Sequence, residues 1–299
     1  MNSALKRAIR LSFERAAAHY DDSAFLQQEV ARRLDERLDM MKLTPECLLD
    51  AGCGTGFAFP LLAKRFPKAA LVGLDLAQNM LAQARQKLPK PSLLQRAGTL
   101  FSTPTAPLVC ADLARLPLAR DSVDLAWSSL ALQWLDQPEV AFKEMRRVLR
   151  PGGVFLFATF GPDTLKELRA AFAGLDGYGH VNRFIDMHDL GDALVHAGFA
   201  NPVMEMEYIT LTYADIKGLL RDLKGIGAHT VLEGRREGLM GRAEWCRLND
   251  NYERFRKDGR LPATYEVIYG HAWVGDKSDR EDGRKVIQWK IEQRQSGLR

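Results

Sequence analysis

Residues 48–56 read "LLDAGCGTG". The apolar run Cys47–Ala51 is bounded in front by Pro45 and behind by glycines, which predicts a short buried strand. A helix is predicted from about Phe57 to Arg65, so Gly52, Gly54 and Gly56 occupy the turn between strand and helix. Glycine has no Cβ, so such a turn is tight and its backbone comes within contact distance of a ligand, while the next helix offers unpaired N–H groups to an anionic group. A dinucleotide turn follows G-x-G-x-x-G. Here the third glycine comes one residue early and Phe57 stands where that pattern has glycine, which disfavours a pyrophosphate.

Outward from this turn the pattern alternates. "AALVGLD" (69–75) reads as a buried strand and "AQNMLAQARQKL" (77–88) as a helix. A loop rich in Pro, Ser and Thr is placed at about 89–106, then a strand in "PLVCAD" and another in "SVDLAWSS" (122–129). "QPEVAFKEMRRVLR" (137–150) reads as a helix stopped by Pro151 and Gly152, and "GGVFLFATF" as the fifth strand. Before the first strand, "AFLQQEVARRLDERL" places Phe25, Val30, Leu34 and Leu38 on one helical face, with Arg32, Arg33, Asp35 and Glu36 towards water. Strand and helix in alternation build a parallel sheet covered on both faces, with right-handed crossovers.

Past residue 160 the pattern changes. Two helices, "DTLKELRAAFAGL" and "MHDLGDALVHAGF", flank the Gly-rich "DGYGHVNRF", and the strand "VMEMEYITLTY" follows. Residues 214–262 are mostly helical and charged, and "ATYEVIYGHAWVG" has the β-branched and aromatic content of a closing strand. The expectation is a doubly wound, mostly parallel seven-stranded α/β sheet. Its last two strands are antiparallel at the edge, with a helical cap inserted between them over the carboxyl ends. The boundaries are 1–40 for an N-terminal helical lid, 41–212 for the core, 213–262 for the cap, and 263–299 for the final strand and a charged tail.

Composition sets outer limits. In a chain of 299 residues, 46% hydrophobic and 27% charged residues describe an ordinary soluble globular protein. A net charge of +4 is too small to argue for nucleic acid. The four cysteines lie far apart, form no C-x-x-C pair, and read as reduced core thiols of a cytoplasmic protein. The start "MNSALKRAIRLSFERAAAHY" is basic and amphipathic, but Glu14 intrudes and no apolar run follows. It reads as a helix rather than a targeting segment, and no membrane association is expected.

Two acidic residues close successive strands. Asp75 ends "VGLD", where α/β nucleotide folds set a carboxylate on ribose hydroxyls, each charge-assisted bond being worth roughly 1.5 to 3 kcal/mol. Asp112 ends the third strand, in "CADLARLP", where its carboxylate can accept from an adenine amino group.

With these residues in view, "LLDAGCGTG", "VGLDLAQNML", "ADLARLPL" and "VLRPGGVFLFATF" resemble the successive motifs of class I S-adenosylmethionine methyltransferases, over about residues 47–160. The resemblance implies that Asp50, Gly52, Gly54 and Gly56 hold the methionine end of S-adenosylmethionine and Asp75, with Leu76 beside it, the ribose. It sets Asp112 and Leu113 on the adenine, Met80 nearby, and Ser128, at the close of the fourth strand, beside the transferred methyl.

No metal cluster, P-C-x-x-C thiol or obvious general base accompanies this site. A carboxylate acceptor would need none, because it is already ionised at neutral pH. Proximity and water exclusion then supply up to ~7 to 11 kcal/mol. Such an enzyme needs a lid and a cation for its substrate. "AAAHYDDSAFLQQEVARRL", "FGPDTLKELR", "HVNRF", "LLRDLKGIGAHT" and "LPATYEVIYGHAW" resemble the malonyl-[acyl-carrier protein] O-methyltransferases of biotin synthesis, from about Tyr20 to Trp273. That likeness implies the free carboxylate of a malonyl thioester as acceptor, carried on acyl carrier protein or coenzyme A. It also implies that Tyr20 closes over the cofactor and that Arg183 or Arg221 clamps the carboxylate.

Plainer readings stand beside these. Tyr20 can be a packing aromatic, and either arginine a surface charge. Lys217, Lys224, Arg235 and Arg236 form either a rim for an acidic carrier protein or a solvated helix face, and His180 and His229 read as hydrogen-bonded structural residues. Two rival functions remain: a protein-arginine methyltransferase resembling complex I assembly factors, and a cofactor-binding scaffold without catalysis. The oligomeric state is open.

Overall fold

The segment Cys47–Ala51 becomes the strand β1 at the centre of the sheet because both of its faces are apolar; Leu48 and Leu49 point to opposite sides and both are buried. The computed structural model describes residues 3–88, 107–176, 178–228 and 240–275. The loop read at 89–106 and the tail after Gly275 lie outside the described residues.

Beside β1 lie β2 (Ala70–Asp75) and β4 (Val123–Ser129), both parallel to it. With β3 (Leu108–Cys110), β5 (Leu149–Phe160), β6 (Ala200–Tyr213) and β7 (Leu261–Trp273) they form one seven-stranded sheet in the order β3-β2-β1-β4-β5-β7-β6. β7 is antiparallel to both neighbours, so the last strand in the chain slots between β5 and β6 and leaves β6 at the edge. The strand order reverses between β1 and β4. In open α/β sheets that reversal opens a crevice at the carboxyl ends of the strands, where ligands bind.

Helices cover both faces. One layer packs Val30, Leu34, Phe59, Leu62 and Trp127 together, and the other Phe142, Met145, Phe155, Phe157 and Leu194. The helices are α1 (Ser3–Ala16), α2 (Tyr20–Ser23), α3 (Phe25–Arg37), α4 (Ala58–Arg65), α5 (Gln78–Lys87), α6 (Pro138–Val148), α7 (Lys166–Phe172), α8 (Met187–His196), α9 (Ile216–Gly225) and α10 (Arg242–Glu253). The last two form the helical insertion between β6 and β7.

Several local expectations are corrected. On α3, Phe25 is 65% exposed and Leu26 takes its place with Val30, Leu34 and Leu38. Arg33 does not simply face water: it pairs with Glu29 and Glu207, while Arg37 pairs with Glu205 and lies 3.5 Å above the Tyr269 ring. Pro151 and Gly152 do not stop α6. That helix ends at Val148, Leu149 is already extended, and residues 150–153 form an irregularity where the β4–β5 register jumps from Val123↔Leu149 to Leu125↔Val154. Of the four free thiols only Cys53 is buried; Cys47 is half-buried, and Cys110 and Cys246 are exposed.

Helix α1 is docked across the site by its polar residues. The Glu14 carboxylate accepts from the backbone N–H of Gln78 and of Asn79, 2.8 Å each, and so caps α5 from another element. Lys6 pairs with Asp112, and the Ser12 hydroxyl donates to the Gly227 carbonyl at 2.8 Å. The acidic residue that broke the basic pattern of the N-terminus is therefore a docking contact. Among the described residues no helix is long and apolar enough to cross a membrane.

Candidate active site

Each turn glycine does a different job. Gly52 has φ +83°, its N–H donates to the Leu74 carbonyl at 2.7 Å, and a Cβ there would lie 2.3 Å from Cβ of Ala131. Gly54 has φ +52° and open space where a Cβ would point, which leaves its backbone bare to a ligand. Gly56 does not line the pocket. A Cβ there would meet the Phe59 ring at 2.9 Å and Cα of Ala84 at 3.0 Å, so this glycine lets α4 and α5 pack closely.

Three strand ends converge as the sequence predicts. Gly54 donates its N–H to Asp75 Oδ2 at 2.9 Å, and Ala77 donates to Asp75 Oδ1 at 2.8 Å. Those bonds orient the carboxylate, and Gly54, Asp75 and Asp112 all line one cavity. Asp50, Gly52, Leu76, Met80 and Leu113 line it too. Asp112 accepts from the Ala114 N–H at 3.0 Å, and its other oxygen is paired with Lys6.

The electrostatics of this cavity call for a partner. Burial, and then the neighbouring charge of Asp75, push the Asp50 carboxyl up to about 8. Its Oδ2 is buried with no hydrogen-bond partner. Burial also pushes Asp75 up to about 6, against the lowering effect of its bonds from Ala77 and Gly54. A buried carboxylate without a partner is costly, and a ligand ammonium beside Asp50 would remove that cost. Trp127 Nε1 is likewise a buried donor without a partner and lines the same cavity. Amino-acid and nucleoside groups in one molecule fit this donor and acceptor set.

Tyr20 lines the cavity, and burial, with the charges of Asp75 and Asp21, raises its phenol well above the ordinary range. Ser128 is fully buried, its hydroxyl donates to the Ala51 carbonyl at 2.8 Å, and the next residue, Ser129, lines the cavity. Successive side chains of a strand point to opposite faces, so a shift of one residue exchanges the two. Residues not picked from the sequence complete the closure. Asp21 accepts from the Thr55 hydroxyl at 2.7 Å and pairs with Lys87, which also donates to Thr55 at 3.0 Å. The Phe13 ring meets Trp134 edge-on at 5.1 Å.

Gln27 and Trp134 also border a second cavity of about 550 Å³, walled by Phe160, Thr164, Asn182, Leu223 and Tyr265 among others. Arg183 and Arg221, the two expected clamps, are both exposed and neither lines either cavity. His180 borders the second cavity in the structural role expected of it, with Nε2 at 2.7 Å from Asp176 Oδ1 and its ring stacked 3.9 Å from Phe172. Lys217 and Lys224 are exposed on α9, in register with Arg221 on one helical face. His229, Arg235 and Arg236 lie outside the described residues. Among the described residues no cluster of His, Cys, Asp and Glu is able to hold a metal ion.

The sheet order and the pocket at its switch point define the α/β class of S-adenosylmethionine-dependent methyltransferases. Residues 49–157 match the family of methyltransferase domains. A Bacillus halodurans protein assigned to the methyltransferases shares the fold, with a TM-score of 0.55 at 18% identity over 82% of this chain and 98% of that one. The malonyl-[acyl-carrier protein] O-methyltransferase of Laribacter hongkongensis is 55% identical over 95% of each chain. That of Gallionella capsiferriformans is 52% identical over 95% of this chain and 96% of its own. The chain belongs to the malonyl-[acyl-carrier protein] O-methyltransferase family.

Proposed function

We propose that the protein methylates the free carboxylate of a malonyl group held as a thioester on acyl carrier protein, the first step in building a pimeloyl chain for biotin. The observation that carries this reading is a pair of neighbouring cavities that share Gln27 and Trp134 as wall, one with unpartnered buried groups for an amino-acid nucleoside, the other lined without charge. The names of the relatives support the same acceptor.

In this reading Asp75 accepts from the ribose hydroxyls, with Leu76 and Met80 against the ring system, and Asp112 and Leu113 face the adenine. Asp50 balances the ammonium of the methionine end, and Gly52 and Gly54 keep the backbone bare there. When bound, S-adenosylmethionine supplies a methyl group on a sulfonium, which the carboxylate oxygen attacks as the carbon–sulfur bond breaks with its electron pair left on sulfur. No residue of the chain needs to move a proton, because the acceptor enters ionised. The task of the chain is alignment and the exclusion of water. We read residues 1–40 as the lid that performs the exclusion, through the Glu14 cap on α5, the Asp21–Thr55–Lys87 latch and Tyr20 over the mouth. The segments 41–212, 213–262 and 263–299 are then core, cap, and final strand with tail.

The carrier protein is acidic in this reading and meets the exposed stripe Lys217, Arg221 and Lys224 of α9, whose companion residues Leu223 and Ile226 reach the wall of the second cavity. Mass spectrometry of malonyl-acyl carrier protein after incubation with S-adenosylmethionine tests the function. A gain of one methyl that an esterase removes supports it. A methyl gained on a protein arginine, or no change, sinks it.

A further inference from the structure

The second cavity differs in kind from the first. Among the described residues that line it there is no Lys, Arg, Asp or Glu. Its polar groups are amides, a hydroxyl, a phenol, an indole and an imidazole, and two of the amides lack partners: Gln27 Oε1 and Asn182 Oδ1 are buried and make no hydrogen bond. Three of the other polar side chains are committed. Thr164 donates to the Glu266 carbonyl at 3.1 Å and accepts from its N–H at 3.1 Å, the Gln133 amide nitrogen donates to the Leu130 carbonyl at 2.6 Å, and His180 is held by Asp176.

Buried polar atoms in native proteins are nearly always paired, so two orphans on the walls of one cavity mark the place of a polar ligand. A terminal amide carries an acceptor and two donors, and half a turn about its last bond exchanges them. Gln27 and Asn182 can therefore each present an N–H₂ group to a ligand oxygen. Gln27 borders both cavities, so a group that it holds sits at their junction, whereas Asn182 reaches in from the loop between α7 and α8.

We infer that Asn182 and Gln27 form the acceptor-carboxylate subsite, and that among the described residues uncharged amide donors, not Arg183 or Arg221, hold the acid there. The inference rests on the function proposed above and names the residues that select its substrate. The charge balance of the reaction favours this arrangement. The acid arrives as an anion and leaves as a neutral ester. A guanidinium fixed in the cavity would be left buried and unpaired once the ester formed, a state that costs several kcal/mol in proteins. It would also hold in hydrogen bonds the lone pairs that must attack. Neutral amides bind the anion without neutralising it and still pair with the ester carbonyl afterwards. Arg183 and Arg221, exposed and outside the lining, are left free for the surface of the carrier.

The test is binding without turnover. The protein is loaded with S-adenosylhomocysteine and titrated with malonyl-N-acetylcysteamine, a small thioester without carrier, by calorimetry. Asn182→Ala and Gln27→Ala should each weaken this acid by about tenfold, and Asn182→Asp, which sets like charges together, by about a hundredfold. Affinity for S-adenosylhomocysteine should stay within about twofold in the Asn182 variants, which reports an intact fold and first cavity. Arg183→Ala and Arg221→Ala should leave the small acid unchanged. Loss of binding in an arginine variant with Asn182→Asp unaffected overturns the inference. Failure of the parent protein to methylate malonyl-carrier protein overturns the function itself, a result that is read separately.

Discussion

Asp50 offers the sharpest physical test of the cofactor pocket. Its carboxyl is held at about 8, against an ordinary value of 3.8, first by burial and then by the charge of Asp75. At about 1.36 kcal/mol for each tenfold change in proton affinity, ionising it in the empty pocket costs about 6 kcal/mol more than in water. A ligand ammonium requires the ionised form, so binding at neutral pH must release the proton that Asp50 carries. With that carboxyl at about 8, the ionised fraction rises about fiftyfold between pH 6 and pH 8, and affinity for S-adenosylhomocysteine should rise by the same factor and then level off. Asp50→Asn should remove the slope and weaken binding at pH 8 by ten- to a hundredfold, the loss of a charge-assisted bond worth about 1.5 to 3 kcal/mol. The stability of the unliganded protein should move the other way. The folded carboxyl lies above its unfolded value, so its ionisation opposes folding from about pH 4 upward and in full beyond about pH 8, and Asp50→Asn should unfold at higher denaturant there. Calorimetry in two buffers of different ionisation enthalpy measures the released proton directly. A flat affinity from pH 6 to pH 8, or a slope that survives in Asp50→Asn, refutes the reasoning.

Three further outcomes follow from single contacts. Asp75→Ala should lower affinity for S-adenosylhomocysteine by at least about a hundredfold in a fluorescence titration, since two charge-assisted bonds of about 1.5 to 3 kcal/mol each would be lost. Gly56→Ala places a methyl 2.9 Å from Phe59 at φ +76°, and its denaturation midpoint should fall by the equivalent of about 1 to 3 kcal/mol. Glu14→Ala uncaps α5 from outside and should cost about 1 kcal/mol, visible as faster hydrogen exchange in α1 while the central strands keep their protection.

What the sequence made legible was local. The path from β1 through α5 is written in contiguous signals, a buried run, glycines, a helical period and an acidic strand end, and Asp50, Gly54 and Asp75 on it line one cavity together with Asp112. The phase of a strand buried on both faces is not written there, because neither side is polar. Ser129, which lines the cavity, and Ser128, which does not, are therefore indistinguishable by pattern. On α3, Phe25 and Leu26 compete for one stripe, and only packing decides between them. The position of β7 between β5 and β6 depends on pairing between distant segments. The second cavity is the extreme case. Gln27, Gln133, Asn182, Leu223 and Tyr265 come from five separate stretches, and no spacing links them. Arg183 and Arg221 came from the family resemblance, and a resemblance does not say which way a side chain faces.

The proposed chemistry requires that the carboxyl ends of β1, β2 and β3 hold one molecule made of an amino acid and a nucleoside joined through sulfur. A crystal structure with S-adenosylhomocysteine bound tests it most directly. It should show the ribose hydroxyls on Asp75, the ammonium beside Asp50 and the adenine between Leu113 and Met80. A ligand that leaves Asp50 and Asp75 without contact would contradict it.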